Sequence, residues 1–92
     1  MSDDWRSTWN YRIMRRQYVD TVDGQSVTTE AFEMYECHYR QPSDALPEGW
    51  AETPVTVSAD DIAGVVWMLS KMTEAASKPT LEYETGKEIA HP

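Results

Sequence analysis

Three adjacent residues, Glu36, Cys37 and His38, carry the side chains best suited to chemistry. A cysteine and a histidine can form a nucleophile and a base when their side chains meet. The surrounding composition predicts a β-strand, however, and consecutive side chains of a strand point to opposite faces, so that Cys37 and His38 are kept apart. Glu36 and His38 share a face, and a half-buried Glu36 with a raised pKa would suit general acid–base catalysis. We prefer the interpretation of Glu36 as a solvated carboxylate near Arg12 or Arg40, and we predict no catalytic residue.

Other kinds of reactive site find little support in the sequence. A structural zinc site needs three or four convergent ligands, and the chain has one cysteine and two histidines. It contains no phosphate-binding glycine-rich loop, no nucleophile elbow and no His-Glu-x-x-His pattern. We therefore expect no metal and no cofactor.

A basic cluster, Arg12, Arg15 and Arg16, lies among aromatic residues in the first half of the chain. This mixture is typical of base-stacking modules. The formal net charge of -8 argues the other way, because it repels nucleic acid phosphates and acidic membranes. We expect no nucleic acid partner, and we expect the cluster to form cross-strand ion pairs with nearby acids, namely Glu30, Glu33 and Glu36.

The elements that position these residues begin with a long β-hairpin over residues 9–40. Asp23-Gly24 stands between runs rich in β-branched and aromatic residues, the pattern of a type I′ turn. A two-residue turn places Val22 opposite Gln25, and the register follows outward. One face then carries Ile13, Phe32 and Met34, and we expect this face to be the inner one. The other face carries four residues that we expect to remain open: Met14, Tyr18, Tyr35 and Cys37.

A loop with two prolines and Trp50 follows the hairpin. Val55 and Val57 alternate with Thr56 and predict a short third strand beside the second. Ser58 is the predicted N-cap of a helix that runs to about Ser77. Residues 80–84 either add a fourth strand or pack along the sheet. The sequence thus predicts an α+β fold of order β-β-β-α-β, a three- or four-stranded antiparallel meander with one C-terminal helix packed on one face.

The apolar residues of the predicted helix exceed what one buried face needs. Five of them, at spacings of 3 and 4, form the stripe expected to pack on the sheet: Ile62, Val65, Leu69, Met72 and Ala76. Val66, Trp67 and Met68 are left over in the middle of the helix. They indicate burial on a second side, either beneath Trp50 and the N-terminal arm or in a self-association surface. We predict a homodimer that uses these three residues or the open sheet face of Met14, Tyr18 and Tyr35.

Chain length and composition predict a single domain over residues 9–84, with a flexible arm at 1–8 and a flexible tail at 85–92. The chain has 92 residues, and no apolar run approaches the length of a membrane span. Its first ten residues lack the pattern of a secretory signal, and Cys37 is the only cysteine. We expect a soluble cytoplasmic protein that does not bind membranes.

Short patterns in three places resemble a group of small uncharacterised bacterial proteins. They are NYRIM in the first strand, FEMYECHY in the second, and VVWMLSKMTEAASKPTLEYE at the end. The corresponding residues are Asn10, Tyr11, Arg12, Glu36, Tyr39, Trp67, Leu69, Met72, Pro79 and Leu81. The resemblance covers about half of the chain and implies a small α+β domain without a known activity. Val66 and Met68 depart from it, since polar residues are expected there.

Three functional hypotheses remain open at this level. The first is a homodimeric, non-enzymatic module that binds a protein partner. The second is a binder of a small apolar ligand held between sheet and helix by Trp9, Tyr11, Glu36 and Trp50. The third is an enzyme that uses Glu36 or His38.

Overall fold

A computed structural model describes residues 8–89 of the chain. Its elements are β1 (Trp9–Val22), β2 (Gln25–His38), β3 (Gly49–Trp50), α1 (Ile62–Ala76) and β4 (Leu81–Glu82). The predicted α+β class and the order β-β-β-α-β are confirmed. Nearly all of the predicted N-terminal arm, and the last three residues of the predicted tail, lie outside the described residues.

The hairpin of β1 and β2 follows the prediction in turn type and register. Asp23 and Gly24 have φ angles of 53° and 76°, which are the two positive values of a type I′ turn. Val22 pairs with Gln25, and the ladder continues without a slip to Trp9 and His38. A tight turn with this geometry leaves the register no freedom, so the two faces of the hairpin are those expected from the sequence.

The sheet has four strands in the order β3-β2-β1-β4 and is mixed. β3 pairs with β2 in antiparallel fashion, whereas β4 pairs with β1 in parallel, through Met14 with Leu81 and Arg15 with Glu82. The predicted fourth strand therefore forms, but the sheet is not purely antiparallel. The outer strands β3 and β4 run in the same direction, and α1 is the crossover that connects them.

The third strand was placed at the wrong residues. The ladder with β2 uses Gly49 and Trp50, which lie in the loop of the prediction. Val55 contributes one backbone hydrogen bond, from its N–H to the carbonyl of Met34 at 2.8 Å, and residues 53–59 have no regular structure. The segment runs beside β2 as expected, but Pro54 interrupts its capacity to donate to a ladder.

The helix begins three residues later than its predicted first turn. Asp61, not Ser58, is the N-cap, and its side chain accepts a hydrogen bond from the N–H of Gly64 at 2.8 Å. Ser77 ends the helix as predicted. Ser58 and Asp61 both have side chains that suit a cap, and Asp61, with a φ of -147°, has the extended backbone of a capping residue directly before the first helical residue.

Most of the fully buried side chains of the hairpin lie on the face that the sequence predicts to be open, although α1 contacts the predicted inner face and Tyr11 is buried there. Met14, Tyr35 and Cys37 are 0% exposed and form the core with Tyr39 and Leu81. By contrast Phe32, on the predicted inner face, is 60% exposed, while Ile13 and Met34 are half-buried. The physical reason is β4, because its parallel pairing places Leu81 beside Met14, so that both side chains lie on the same face of the sheet.

The segment after the helix closes this core. The N–H of Glu82 donates to the carbonyl of Lys87 at 2.8 Å, so residues 82–87 fold back on themselves. Gly86 adopts a φ of 74° and lies against the Trp50 ring, and a Cβ there would come within 2.5 Å of that ring. The Trp50 ring in turn meets the ring of Tyr83 at 6.3 Å between centroids. The open face therefore has a cover from within the chain.

The helix contacts the opposite face of the sheet near the start of β1, where Trp67 meets Trp9. Its inward side is not the predicted stripe. Ala75 is buried and Val65, Met68 and Met72 are half-buried, at spacings of 3, 4 and 3. Ile62 is 82% exposed, and Leu69 and Ala76 are exposed as well.

The tip of the hairpin extends past the rest of the domain. Residues 19–30 are all exposed, on both faces of the two strands. The domain measures 54 Å along its longest axis and 31 Å along the next. Two strands without further cover gain little stability from burial, so this tip depends on its turn and on cross-strand pairs.

The core assignment predicts a clear difference between two leucines. Leu81→Ala should lower the free energy of unfolding by about 2–5 kcal/mol, because it removes a fully buried side chain. Leu46→Ala, at an exposed loop position, should lower it by about 0.5 kcal/mol or less. Urea denaturation followed by far-UV circular dichroism measures both. Equal effects of the two changes would contradict the assignment.

Candidate functional site

Two clefts adjoin each other at the start of β1. One, of about 560 Å³, lies between the sheet and α1 and is lined by Trp9, Tyr11, Trp67, Lys71, Glu74 and Ala75, among others. The other, of about 360 Å³, lies between β1, the loop after β2 and the segment after α1. Trp9, Asn10 and Lys78 line both clefts. We refer to them as the aromatic cleft and the charged cleft.

Regular spacing on two elements builds the aromatic cleft. Trp9 and Tyr11 are two residues apart on β1 and share a face, with ring centroids 5.4 Å apart. Trp67, Lys71 and Glu74 are spaced by 4 and 3 along α1 and share a side of the helix. The Trp67 ring lies 6.3 Å from the Trp9 ring, and the Lys71 ammonium lies 5.9 Å from the Trp67 ring. The result is an aromatic wall with one cation over it.

The predicted ligand-binding residues do not all meet in this cleft. Trp9 and Tyr11 line it. Glu36 pairs with Tyr11 across the hairpin, and burial together with the Glu36 carboxylate raises the pKa of the Tyr11 hydroxyl. Trp50 lies on the other face of the sheet, because it pairs with Cys37 and packs on the core.

Glu36 and His38 form a loose surface pair. His38 Nε2 lies 3.6 Å from Glu36 Oε1, and each side chain is about half exposed, at 52% and 43%. Cys37 is buried on the other face, as the alternation of the strand requires. The Cys37 thiol is therefore kept away from this pair.

The six predicted interface residues divide into two groups. Val66 and Trp67 are exposed on α1, whereas Met68 is half-buried toward the sheet. Met14 and Tyr35 are inaccessible in the core, and Tyr18 is half-buried with its hydroxyl donating to Glu33 at 2.7 Å. The open-sheet alternative for a dimer interface is thus wrong, because Leu81, Trp50 and Tyr83 cover that face.

The arginines take different partners from those predicted. Arg15 does contact Glu30, at 3.9 Å, but its closer partner is Glu82 on β4, at 2.7 Å. Arg16 donates to the Tyr35 hydroxyl at 3.2 Å and to the carbonyl of Glu52 at 2.7 Å. These partners come from segments that approach β1 only in the folded chain.

Arg12 departs furthest from the predicted cross-strand ion pairs. Its side chain is 3% exposed, and it bonds no carboxylate among residues 8–89. Instead its Nη1 donates to the Tyr39 hydroxyl at 2.9 Å and to the carbonyl of Ala45 at 3.3 Å, and Nη2 donates to the carbonyl of Pro79 at 2.9 Å. Three segments of the chain thus meet at one guanidinium.

Sequence reasoning did not find the charged cleft. Its walls include Arg12, Asp44, Lys78 and Glu88, which come from four separate parts of the chain. No local spacing relates them. A weak signal was present in the resemblance, since Asn10, Arg12, Tyr39 and Pro79 all carry it and all line this cleft.

Two further properties hold for residues 8–89. No group of three or more histidine, cysteine, aspartate or glutamate side chains within this range is arranged to hold a metal ion. Among these residues, no helix is both long enough and apolar enough to cross a membrane.

The burial of Cys37 leads to a prediction about its reactivity and about pH. Desolvation raises the pKa of the thiol to about 12 from an ordinary value of 9.0, although the nearby Arg12 charge acts in the opposite direction. The native protein should therefore resist labelling by 5,5′-dithiobis(2-nitrobenzoate) at pH 8 and react fully in denaturant.

The same shift links stability to pH. The unfolded thiol ionises first, so the free energy of unfolding should fall as the pH rises from about 9 toward 12. Burial also raises the pKa of the Tyr35 hydroxyl, with the same sign. Cys37→Ala should make this fall less steep in urea denaturation at pH 8, 9 and 10. An unchanged slope, or rapid labelling of the native thiol, would contradict the prediction.

Comparison of the chain with protein-family models, with curated proteins and with solved structures finds no significant match. The resemblance described above remains an expectation.

Proposed function

We propose that this protein is a non-enzymatic interaction module that forms a homodimer through the outer side of α1. The observation that supports the proposal is an exposed stripe of five residues along the helix: Ile62, Val66, Leu69, Thr73 and Ala76. We call this set the outer stripe. Apolar residues this exposed on one side of a helix, opposite a side that already packs on the sheet, are typical of an interface.

The spacing of the outer stripe favours another helix as its partner. Its members follow one another at intervals of 4, 3, 4 and 3, which is the seam of a helix pair. Thr73 fits the pattern because its hydroxyl donates to the carbonyl of Leu69 at 2.8 Å and leaves its methyl group outward. Ala63 and Ser70 flank the stripe and are small, which permits close approach of a second helix.

Charge favours a second copy of this chain. α1 has two charged residues, Lys71 and Glu74, and they pair with each other at 3.7 Å on the side of the aromatic cleft. The outer stripe itself carries no charge. Two chains with a net charge of -8 repel each other least where the contact is uncharged, and an identical stripe on each copy allows a two-fold symmetric contact.

The tip of the hairpin is the surface that supports a protein partner. Val19 and Val27 are exposed there, and both strand edges are free of neighbours among the described residues. Exposed strand edges pair readily with an extended peptide. We place this module in the cytoplasm, consistent with its single buried thiol.

Light scattering coupled to size-exclusion chromatography tests the dimer. The unmodified chain at low micromolar concentration should elute with twice its mass of 10.6 kDa. Val66→Glu places a charge in the centre of the outer stripe and should give a monomer, with a dissociation constant at least about 100-fold higher because an unpaired charge is costly to bury. Val19→Glu, an equally exposed valine on the hairpin, is the matched control and should remain a dimer. A monomeric unmodified chain would exclude the proposal.

A ligand-binding function is the second candidate, favoured by the aromatic cleft. A volume of about 560 Å³ is within the range of small-molecule sites, and its walls, which include Trp9, Tyr11 and Trp67, expose more apolar than polar surface. The ligand would be a small apolar molecule, since the rings supply most of the contact.

Fluorescence of 8-anilinonaphthalene-1-sulfonate tests this candidate. The probe has an apolar ring system and one sulfonate, which suits the rings and Lys71. It should bind with a 1:1 stoichiometry, and Trp67→Ala should weaken binding by about tenfold, as expected for the loss of one aromatic wall. Phe32→Ala, an exposed aromatic outside the cleft, is the control and should bind as the unmodified chain does. No saturable fluorescence change would exclude the candidate.

A further inference from the structure

The charged cleft has an unusual wall. Four charged side chains line its volume of about 360 Å³: Arg12, Asp44, Lys78 and Glu88. Two are cations and two are anions, so their formal charges cancel in a chain whose net charge is -8. None of the four forms an ion pair within residues 8–89, although opposite charges line the same small space.

Arg12 carries the most deeply buried of these four charges, because the residue is 3% exposed. Its three hydrogen bonds go to a hydroxyl and two carbonyls, which are neutral acceptors. A buried guanidinium without a counter-ion is costly, and an anion brought into the adjoining cleft would compensate it. Lys78 supplies a second cation among the residues that line the cleft.

Two residues that line the cleft, Asn10 and Arg12, each have a buried polar atom without a hydrogen-bond partner. A guanidinium has five N–H donors, and Arg12 uses three, with Nε left without a partner. Asn10, another residue of the wall, has a buried Oδ1 without a partner. Asp44 is held in place, since its Oδ2 accepts the backbone N–H of Gln41 at 3.1 Å.

The two cations and two anions of the charged cleft together favour a ligand that carries both charges. A simple anion would meet repulsion from Asp44 and Glu88, and a simple cation would meet repulsion from Arg12 and Lys78. A small molecule with both charges close together is attracted by both pairs.

We propose that the charged cleft binds a free α-amino acid. The ligand carboxylate lies on the side of Arg12 and Lys78, and its ammonium group lies on the side of Asp44 and Glu88. Trp9, Asn10 and Lys78 also line the aromatic cleft, so an apolar ligand side chain can extend past Trp9 into it. The site does not depend on dimerisation through the outer stripe.

NMR spectroscopy tests the proposal. The full chain is labelled with ¹⁵N and titrated with L-leucine. Saturable shifts should appear at residues of the cleft, with a dissociation constant of about 1 mM or below. Two analogues of leucine each keep only one of its charged groups. In 4-methylpentanoate the ammonium group is missing, and in 3-methylbutylamine the carboxylate is missing. Each should bind at least about tenfold more weakly than L-leucine, because each loses one set of charge contacts and meets the repulsion of the other.

Three exposed positions supply the variants. Lys78→Gln and Asp44→Asn should each weaken L-leucine binding by about tenfold without changing the fold. Lys87→Gln, which removes an exposed cation outside both clefts, is the matched control and should leave the dissociation constant within about twofold. Absence of saturable shifts with L-leucine, equal binding of either half-molecule, or no effect of both cleft variants would each overturn the proposal.

Discussion

The packing of Leu81 on Met14 is the contact on which the rest of the fold depends. It exists because β4 pairs in parallel with the edge of β1, and it buries both side chains completely. With the chain anchored there, residues 82–89 and the Trp50 ring complete the core on that face. α1, which must connect β3 at one edge of the sheet with β4 at the other, then crosses the opposite face. Both clefts result from this arrangement, since they lie where the crossover and its following segment meet the start of β1.

Arg12 shows how one buried cation can tie together distant parts of a small domain. Its bonds reach Tyr39 after β2, Ala45 in the loop and Pro79 after α1. Each bond to a neutral oxygen satisfies a donor without cancelling the charge, which distinguishes this site from an ordinary buried salt bridge. The same arginine therefore stabilises the fold and leaves an uncompensated positive charge beside the cleft.

α1 separates its roles by side. One side packs Ala75 and its neighbours on the sheet, a second presents Trp67 and Lys71 to the aromatic cleft, and the third carries the outer stripe. A domain of this size buries a modest core, and it leaves a larger share of its apolar residues exposed than a larger protein does. The proposed dimer would cover the outer stripe without closing either cleft to the sheet. Interaction and ligand binding are thus compatible on one helix.

Local rules determined the hairpin and the existence of the helix. Asp23-Gly24 specifies a type I′ turn, and this turn determines the register of every pair from Val22 outward. The sequence could not reveal which face would be buried, because both faces of the hairpin carry apolar residues and the period of two is the same for each. The buried face is determined by Leu81, which is 67 positions from Met14 in the sequence and contacts it only after the chain has crossed the sheet through α1. The charged cleft was likewise decided by tertiary structure alone. The spacing of Arg12 along β1 is that of a surface ion pair. In the folded chain Tyr39, Ala45 and Pro79 surround its guanidinium, bury it and leave its charge without a counter-ion among the described residues.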